Sequence, residues 1–201
     1  MIVIGSGPSA ENYYPPDCVK TICVNQAIKY HRADYWFSLD WSKSNIEIVR
    51  NRRWYPSTEF YCAEPLGCNY FGDDIIRLER ISYRGVEPAE KDSPDWWIWR
   101  WSAVLGIPGD SRIIHSGNSA WGAIQLAYHL GARRVVLVGV DGTQDAKPDG
   151  TRPNRLDHLD KLIRSGLDKI EIRRLASAAQ STLTLETIDA GDVATWLSET
   201  T

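Results

Sequence analysis

The residues best suited to chemistry in this sequence stand directly behind apolar runs. Met1 to Ile4 stops in Gly5-Ser6-Gly7-Pro8-Ser9, the run ending at Val24 is followed by Asn25-Gln26, and an aromatic run closes in Ser38-Leu39-Asp40. Ser111 to His115 leads into Ser116-Gly117, and Arg134 to Val140 ends at Asp141. Glycines in the first cluster let the backbone turn sharply and approach a ligand closely. Amides and the N-terminus of a following helix would then face an anion, as they do for a phosphate-bearing ligand. Gly5, Gly7 and Ala10 fit a loose G-x-G-x-x-A dinucleotide pattern, but Asn25 stands where an acid would take the ribose, and no Gly-Lys-Ser/Thr follows to make a P-loop. A glycine turn with no ligand is the plain structural alternative for this segment.

Positioning these clusters requires a parallel sheet, because a continuous apolar run suits a strand covered on both faces. Strands are expected at Met1 to Ile4, Val19 to Asn25, Ala33 to Asp40, Ser57 to Ala63, Ser111 to His115, Arg134 to Val140 and Thr182 to Ile188. Helices are expected after the Gly5 cluster, over Trp41 to Arg53 and Ala120 to Leu130, from about Leu156, and over Ala190 to Ser198. The alternation predicts an α/β protein with a single Rossmann-like parallel sheet flanked by helices, whose ligands sit beyond the carboxyl ends of the strands. Ser6, Asn25, Ser38, Asp40 and Asp141 all fall at those ends. From about Glu64 to Asp110 glycine, proline and mixed charges break the periodicity, which predicts an insertion or lid within one domain spanning 1–201.

Composition sets the remaining bounds. A chain of 201 residues can bury one sizeable core. Its net charge of −3 gives no global attraction to nucleic acid or anionic lipid. No stretch is apolar enough to span a membrane and no signal-type segment precedes the first strand, so a cytoplasmic location is expected. Cys18, Cys23, Cys62 and Cys68 form no CxxC pair and read as buried free thiols. Four of the nine tryptophans, Trp96, Trp97, Trp99 and Trp101, crowd one stretch. A packed cover over the sheet is the favoured reading, ahead of a stacking surface for a sugar or base or a homo-oligomer contact. Arg50, Arg52 and Arg53 beside Trp54 and Tyr55 read as a solvated helix end rather than a contact to a nucleic-acid backbone.

Val3 to Ser9, Val24-Asn25-Gln26, Ser116-Gly117 with its helix, and Val138-Gly139-Val140-Asp141 together resemble the family 42 bacterial sialyltransferases. They also resemble that family's wider relatives, the proteins similar to the archaeal 6-hydroxymethylpterin pyrophosphokinase. The sialyltransferase resemblance implies that Ser6 and Asn25 hold the nucleotide, that Ser38 lies beside the leaving phosphate, and that Ser116, Gly117 and Asp141 complete the site. Amides and hydroxyls can satisfy a ribose and phosphate without a metal, and a carboxylate can accept from a ribose hydroxyl or a base amine. Turn or helix capping is the equal alternative for Asn25 and Ser116. The family's general base is a histidine beyond the Gly-x-Asp strand, and His158 is the histidine in that region, with Asp157 or Asp160 to orient it. An imidazole can take the proton of an attacking acceptor hydroxyl. His115 stands at a strand end beside Ser116, while His31 and His129 read as structural.

The chain departs from the family in one respect. The sialyltransferases place tyrosines after Gly-x-Asp to hydrogen-bond the departing phosphate, whereas this chain has Gly142-Thr143 and no tyrosine after Tyr128. Lys147, Arg152 and Arg155 are the charged residues nearest that position, and on a charged loop they read as solvated. The leading expectation is a metal-independent glycosyltransferase with no cofactor beyond its nucleotide-sugar donor, acting on a glycan, a lipid or a modified DNA base. A pyrophosphokinase-like transfer from ATP, with Asp40 and Asp141 as magnesium ligands, and a non-catalytic nucleotide-binding module are the alternatives.

Overall fold

The computed structural model describes residues 1–143 and 156–199. The expected strands form where the apolar runs lie: β1 (Ile2–Ile4), β2 (Thr21–Val24), β3 (Tyr35–Ser38), β4 (Glu59–Glu64), β6 (Ile113–His115) and β7 (Arg134–Val138). They are joined by β5 (Ile76–Ile81), β8 (Glu171–Leu175) and β9 (Thr187–Ile188). Together they make one nine-stranded sheet in the order β6-β5-β4-β3-β2-β1-β7-β8-β9, in which every pairing is parallel. The helices are α1 (Lys43–Arg50), α2 (Pro94–Arg100), α3 (Ser119–His129), α4 (Leu159–Arg164) and α5 (Val193–Ser198). The protein is thus α/β, with a Rossmann-like parallel sheet flanked by helices, and no helix among the described residues is long and apolar enough to cross a membrane.

Strand alternation divides the core between the two faces of the sheet. Val3, Ile22, Phe37 and Leu137 join Trp121, Ile124 and Leu162 on one side. Ile2, Ile4, Cys23 and Trp36 join Ile48 of α1 and Trp196 of α5 on the other. Helix α3 runs between the edge strand β6 and the central strand β7, so it must cross the sheet, and it lies against β1, β2, β3 and β6. That crossing explains why Ser119 through Ala127 are all buried, polar residues included. Each large side chain buried there stabilises the fold by about 1.5–3 kcal/mol.

Several expectations are corrected. The stretch from Glu64 to Asp110 is not an uninterrupted insertion: Ile76–Ile81 is β5, an integral strand between β4 and β6. The chain beyond the Gly5 cluster forms only a 3₁₀ turn at Pro8–Ala10, not an α-helix. The last strand is confined to Thr187–Ile188. Helix α2 is a partial cover: Trp96, Trp97, Ile98 and Trp99 are half-buried, Ile98 packs against the core, and Trp101 behind the helix is 42% exposed. Cys23 and Cys62 are buried thiols, and burial pushes Cys62 up to about 12 and Cys23 strongly up, but Cys18 is exposed and Cys68 half-buried. Arg50, Arg52 and Arg53 line a second hollow at the amino ends of β4 and β5, where Arg52 pairs with Asp74 at 2.9 Å.

Candidate functional site

The strand order reverses at β1, which has β2 on one side and β7, reached by way of the far edge, on the other. Open parallel sheets bind ligands at such a switch point, beyond the carboxyl ends of the strands. A cavity of about 470 Å³ lies there, a volume suited to a small-molecule ligand. Its walls are the segments that follow the strands: Gly5, Ser6, Gly7 and Pro8 after β1, Asn25 after β2, Asp40 and Trp41 after β3, Ser116 and Gly117 after β6, and Asp141 after β7. His158, ahead of α4, completes it.

The first two glycines are required by backbone crowding. Gly5 and Gly7 amides donate to Val138 and Gly139 carbonyls at 2.7 and 2.8 Å, which draws the β1 loop onto the end of β7. Gly139, at φ +64°, has no room for a side chain: a Cβ there would overlap the Gly5 carbonyl and stand 2.7 Å from the Ala10 Cβ. The lock is finished by Ser9, whose amide donates to Asp141 Oδ2 at 3.0 Å and whose Oγ accepts from the Gly139 amide at 2.8 Å. Ser9 therefore braces the loop instead of lining the cavity. Asp141 does both, since its carboxylate holds Ser9 while its side lies on the cavity wall.

Asn25 adopts φ +53°, an uncommon left-handed conformation for a residue with a side chain. Its carbonyl accepts from Trp36 Nε1 at 2.8 Å, and its Oδ1 accepts from Ser38 Oγ at 2.6 Å. Asn45 of α1, 1% exposed, donates to the Asp40 carbonyl at 2.9 Å and accepts from Gln26 Nε2 at 2.8 Å. Ser38 and Gln26 thus belong to a network behind the cavity that fixes the ends of β2 and β3. They do not line it, and the expectation that they touch a ligand directly is corrected.

The N-terminus of α3 faces the cavity in place of the helix expected after Gly7. Asn118 caps it, accepting from the Ala120 amide at 2.7 Å, and Ser119 Oγ accepts from the Leu39 amide at 3.2 Å. Uncompensated amides and the dipole of an eleven-residue helix favour an anion at this end. His115 turns away, its Nδ1 2.7 Å from the Gly106 carbonyl, and His129 reaches the Ile113 carbonyl at 3.2 Å.

His158 is 1% exposed, lines the cavity, and has no hydrogen-bond partner among the described residues at either ring nitrogen. Burial pulls its pKa down to about 4, against an opposing pull from Asp157. The imidazole is neutral at pH 7 and free to accept a proton or donate one. Unfolding returns it to water, where it titrates near 6.5. Between pH 6.5 and about 4 the unfolded chain therefore holds a proton that the folded chain does not. Stability from this group is complete above pH 6.5 and is lost as pH falls toward 4. The expected loss by pH 4 is roughly 3 kcal/mol. Urea midpoints at pH 7 and pH 4.5 measure it, and a His158→Leu variant that declines just as steeply assigns the loss to other groups.

Residues the sequence did not assign to the site also line the cavity, Trp41, Arg80, Asn118, Ser119 and Thr143, and so does Trp101, the last of the four crowded tryptophans. Asn118 was findable as an N-cap ahead of a helical pattern. Arg80 was not, because its strand was unrecognised. Lys147, Arg152 and Arg155 lie outside the described residues. Among the described residues no group of three histidine, cysteine, aspartate or glutamate side chains could hold a metal ion. Comparison with protein-family models, with curated proteins and with solved structures finds no match to this chain.

Proposed function

We propose that the protein is a glycosyltransferase that binds a nucleotide-sugar donor at the β1–β7 switch point and uses His158 to take the proton of an acceptor hydroxyl. The observation carrying this reading is His158 itself, an imidazole buried with both nitrogens unpartnered among the described residues, against a cavity walled by glycine turns and strand ends. Ser6, Asn25, Ser116 and Asp141 on those walls supply hydroxyl, amide and carboxylate groups for a ribose and base. The α3 N-terminus supplies a place for the phosphate. A bound phosphate beside His158 raises its pKa and makes it a stronger base at neutral pH. The resemblance to the sialyltransferases assigns the same residues. Without tyrosines after Asp141 it does not extend to a sialic acid donor.

A second reading, phosphoryl or pyrophosphoryl transfer from ATP, is favoured by one observation: Asp40 and Asp141 line the same cavity, and two carboxylates there could hold magnesium beside phosphates. Thermal shifts with CMP, CDP, UDP, GDP and ATP, each with and without magnesium, distinguish the two. A ligand at about 100 times its dissociation constant stabilises a fold by roughly 2.7 kcal/mol. The expected result is a magnesium-independent shift with a cytidine or uridine nucleotide. A shift confined to ATP with magnesium selects phosphotransfer, and no shift with any nucleotide removes both readings.

A further inference from the structure

Arg80 sits on β5 with its side chain on the wall of the cavity, and it is the one cavity-lining arginine among the described residues. Its Nη1 donates to the Leu39 carbonyl at 3.1 Å, and among the described residues its buried Nε has no partner and no carboxylate forms an ion pair with it. Burial lowers its pKa against the opposing pull of Tyr70, Cys68 and Glu64, so the site bears the cost of a half-desolvated cation that the Glu64 carboxylate, already paired with Arg77, offsets only in part. Arg77, on the same strand, shows the ordinary solution: it pairs with Glu64 at 3.1 Å and with Asp73 at 3.5 Å.

The guanidinium is also deliberately placed. Its carbon lies 4.9 Å from the centre of the Trp41 ring, and Trp41 stacks on Tyr70 at 4.5 Å with planes 23° apart. The Tyr70 backbone is held in turn by Glu64 Oε1, which accepts its amide at 2.8 Å. Such a stack fixes the plane of the arginine and leaves its charge to a ligand. Trp101, 42% exposed, lines the same cavity and offers an aromatic surface to an apolar ring face.

We infer that Arg80 and Trp101 form an acceptor subsite for a saccharide bearing an acidic group, a carboxylate or a phosphate, with Trp41 and Tyr70 as positioning residues. The inference rests on the transferase reading for the word acceptor, but the preference for an acidic sugar is measurable without any transfer. The Arg80 guanidinium reaches the Leu39 carbonyl and Trp41 behind β3, two strands from β1 in the sheet, roughly 10 Å at the usual strand spacing, so it stands to one side of the glycine turn that receives the donor.

Calorimetric titration of the full chain with glucose, glucuronate, glucose 1-phosphate and inorganic phosphate tests this, with and without the nucleotide found to bind. Glucuronate or glucose 1-phosphate is expected to bind about tenfold or more tightly than glucose, the worth of a charge-assisted contact. Arg80→Gln should abolish that preference and leave nucleotide binding intact, Arg80→Lys should retain part of it, and Trp101→Leu should weaken every sugar. Equal binding of glucose and its acidic forms overturns the inference, as does a preference that survives Arg80→Gln. Inorganic phosphate binding as tightly as glucose 1-phosphate removes the sugar platform. Loss of nucleotide binding in Arg80→Gln moves Arg80 to the donor, overturning the subsite and sparing the transferase reading. Failure of every nucleotide to bind the unaltered chain has the opposite effect.

Discussion

Replacing His158 by leucine is expected to stabilise the protein and to stop transfer. The imidazole is buried with neither nitrogen satisfied by a described residue, and an unsatisfied buried polar group costs about 1–3 kcal/mol. Leucine is similar in size and apolar, and it enters surroundings that already include Leu156 and Leu159. A gain of roughly 1–3 kcal/mol at pH 7 follows, rising further at pH 5 because the acid-sensitive group is gone. Loss of a general base lowers transfer by about 10²- to 10⁴-fold. A residue that weakens its own fold in this way is retained for what it does at the site. The measurements are the urea midpoint and turnover with the donor identified by thermal shift. Nucleotide affinity is expected to remain within a few-fold of the unaltered protein at pH 8, where His158 is neutral. Unchanged turnover defeats the catalytic assignment, and a drop in stability shows that the imidazole has a structural partner.

The same group couples binding to pH. An anionic ligand beside His158 raises its pKa, and by reciprocity protonation must tighten that ligand. The nucleotide that binds should therefore bind more tightly at pH 5.5 than at pH 8, and the dependence should vanish in His158→Leu.

The sequence made the centre of the sheet legible and its flanks obscure, for a physical reason. β1, β2 and β7 are covered on both faces, so they read as unbroken apolar runs whose polar terminators mark the strand ends. That is why the sequence pattern alone places Ser6, Asn25, Ser116 and Asp141 on one rim. β5 (Ile76–Ile81) and β8 (Glu171–Leu175) lie toward the edges, where alternate residues face partial solvent or pair with acids. Arg77 pairs with Glu64, and Arg173 with Glu171 and Glu186. Their mixed charge conceals a strand pattern among glycines and prolines. Missing β5 concealed Arg80 as well, since only the fold carries that arginine to the cavity. Ser9, Gln26 and Ser38 failed as ligand contacts for a different reason. Their types and positions fit a binding rim, but side-chain direction is settled by hydrogen bonds to the Gly139 amide and to Asn45 that no local spacing reveals.

Gly139→Ala is expected to cost about 3–5 kcal/mol and to abolish nucleotide binding, although the position was read only as part of a strand end. Two separate effects add. A left-handed φ of +64° is strained for alanine, at about 1–3 kcal/mol. The new Cβ would also overlap the Gly5 carbonyl and the Ala10 methyl, forcing β1 and β7 apart where Gly7 and Ser9 bond across them. Each such bond is worth about 1 kcal/mol. Gly131→Ala separates the two effects, because Gly131 has φ +92° but nothing within 4 Å of where its Cβ would stand. That variant should lose only the conformational part and keep full nucleotide affinity. Equal destabilisation of the two variants by urea denaturation would mean that the contact between the β1 loop and the end of β7 is not what the glycines provide. In that case the donor site must be held open by something other than their close approach.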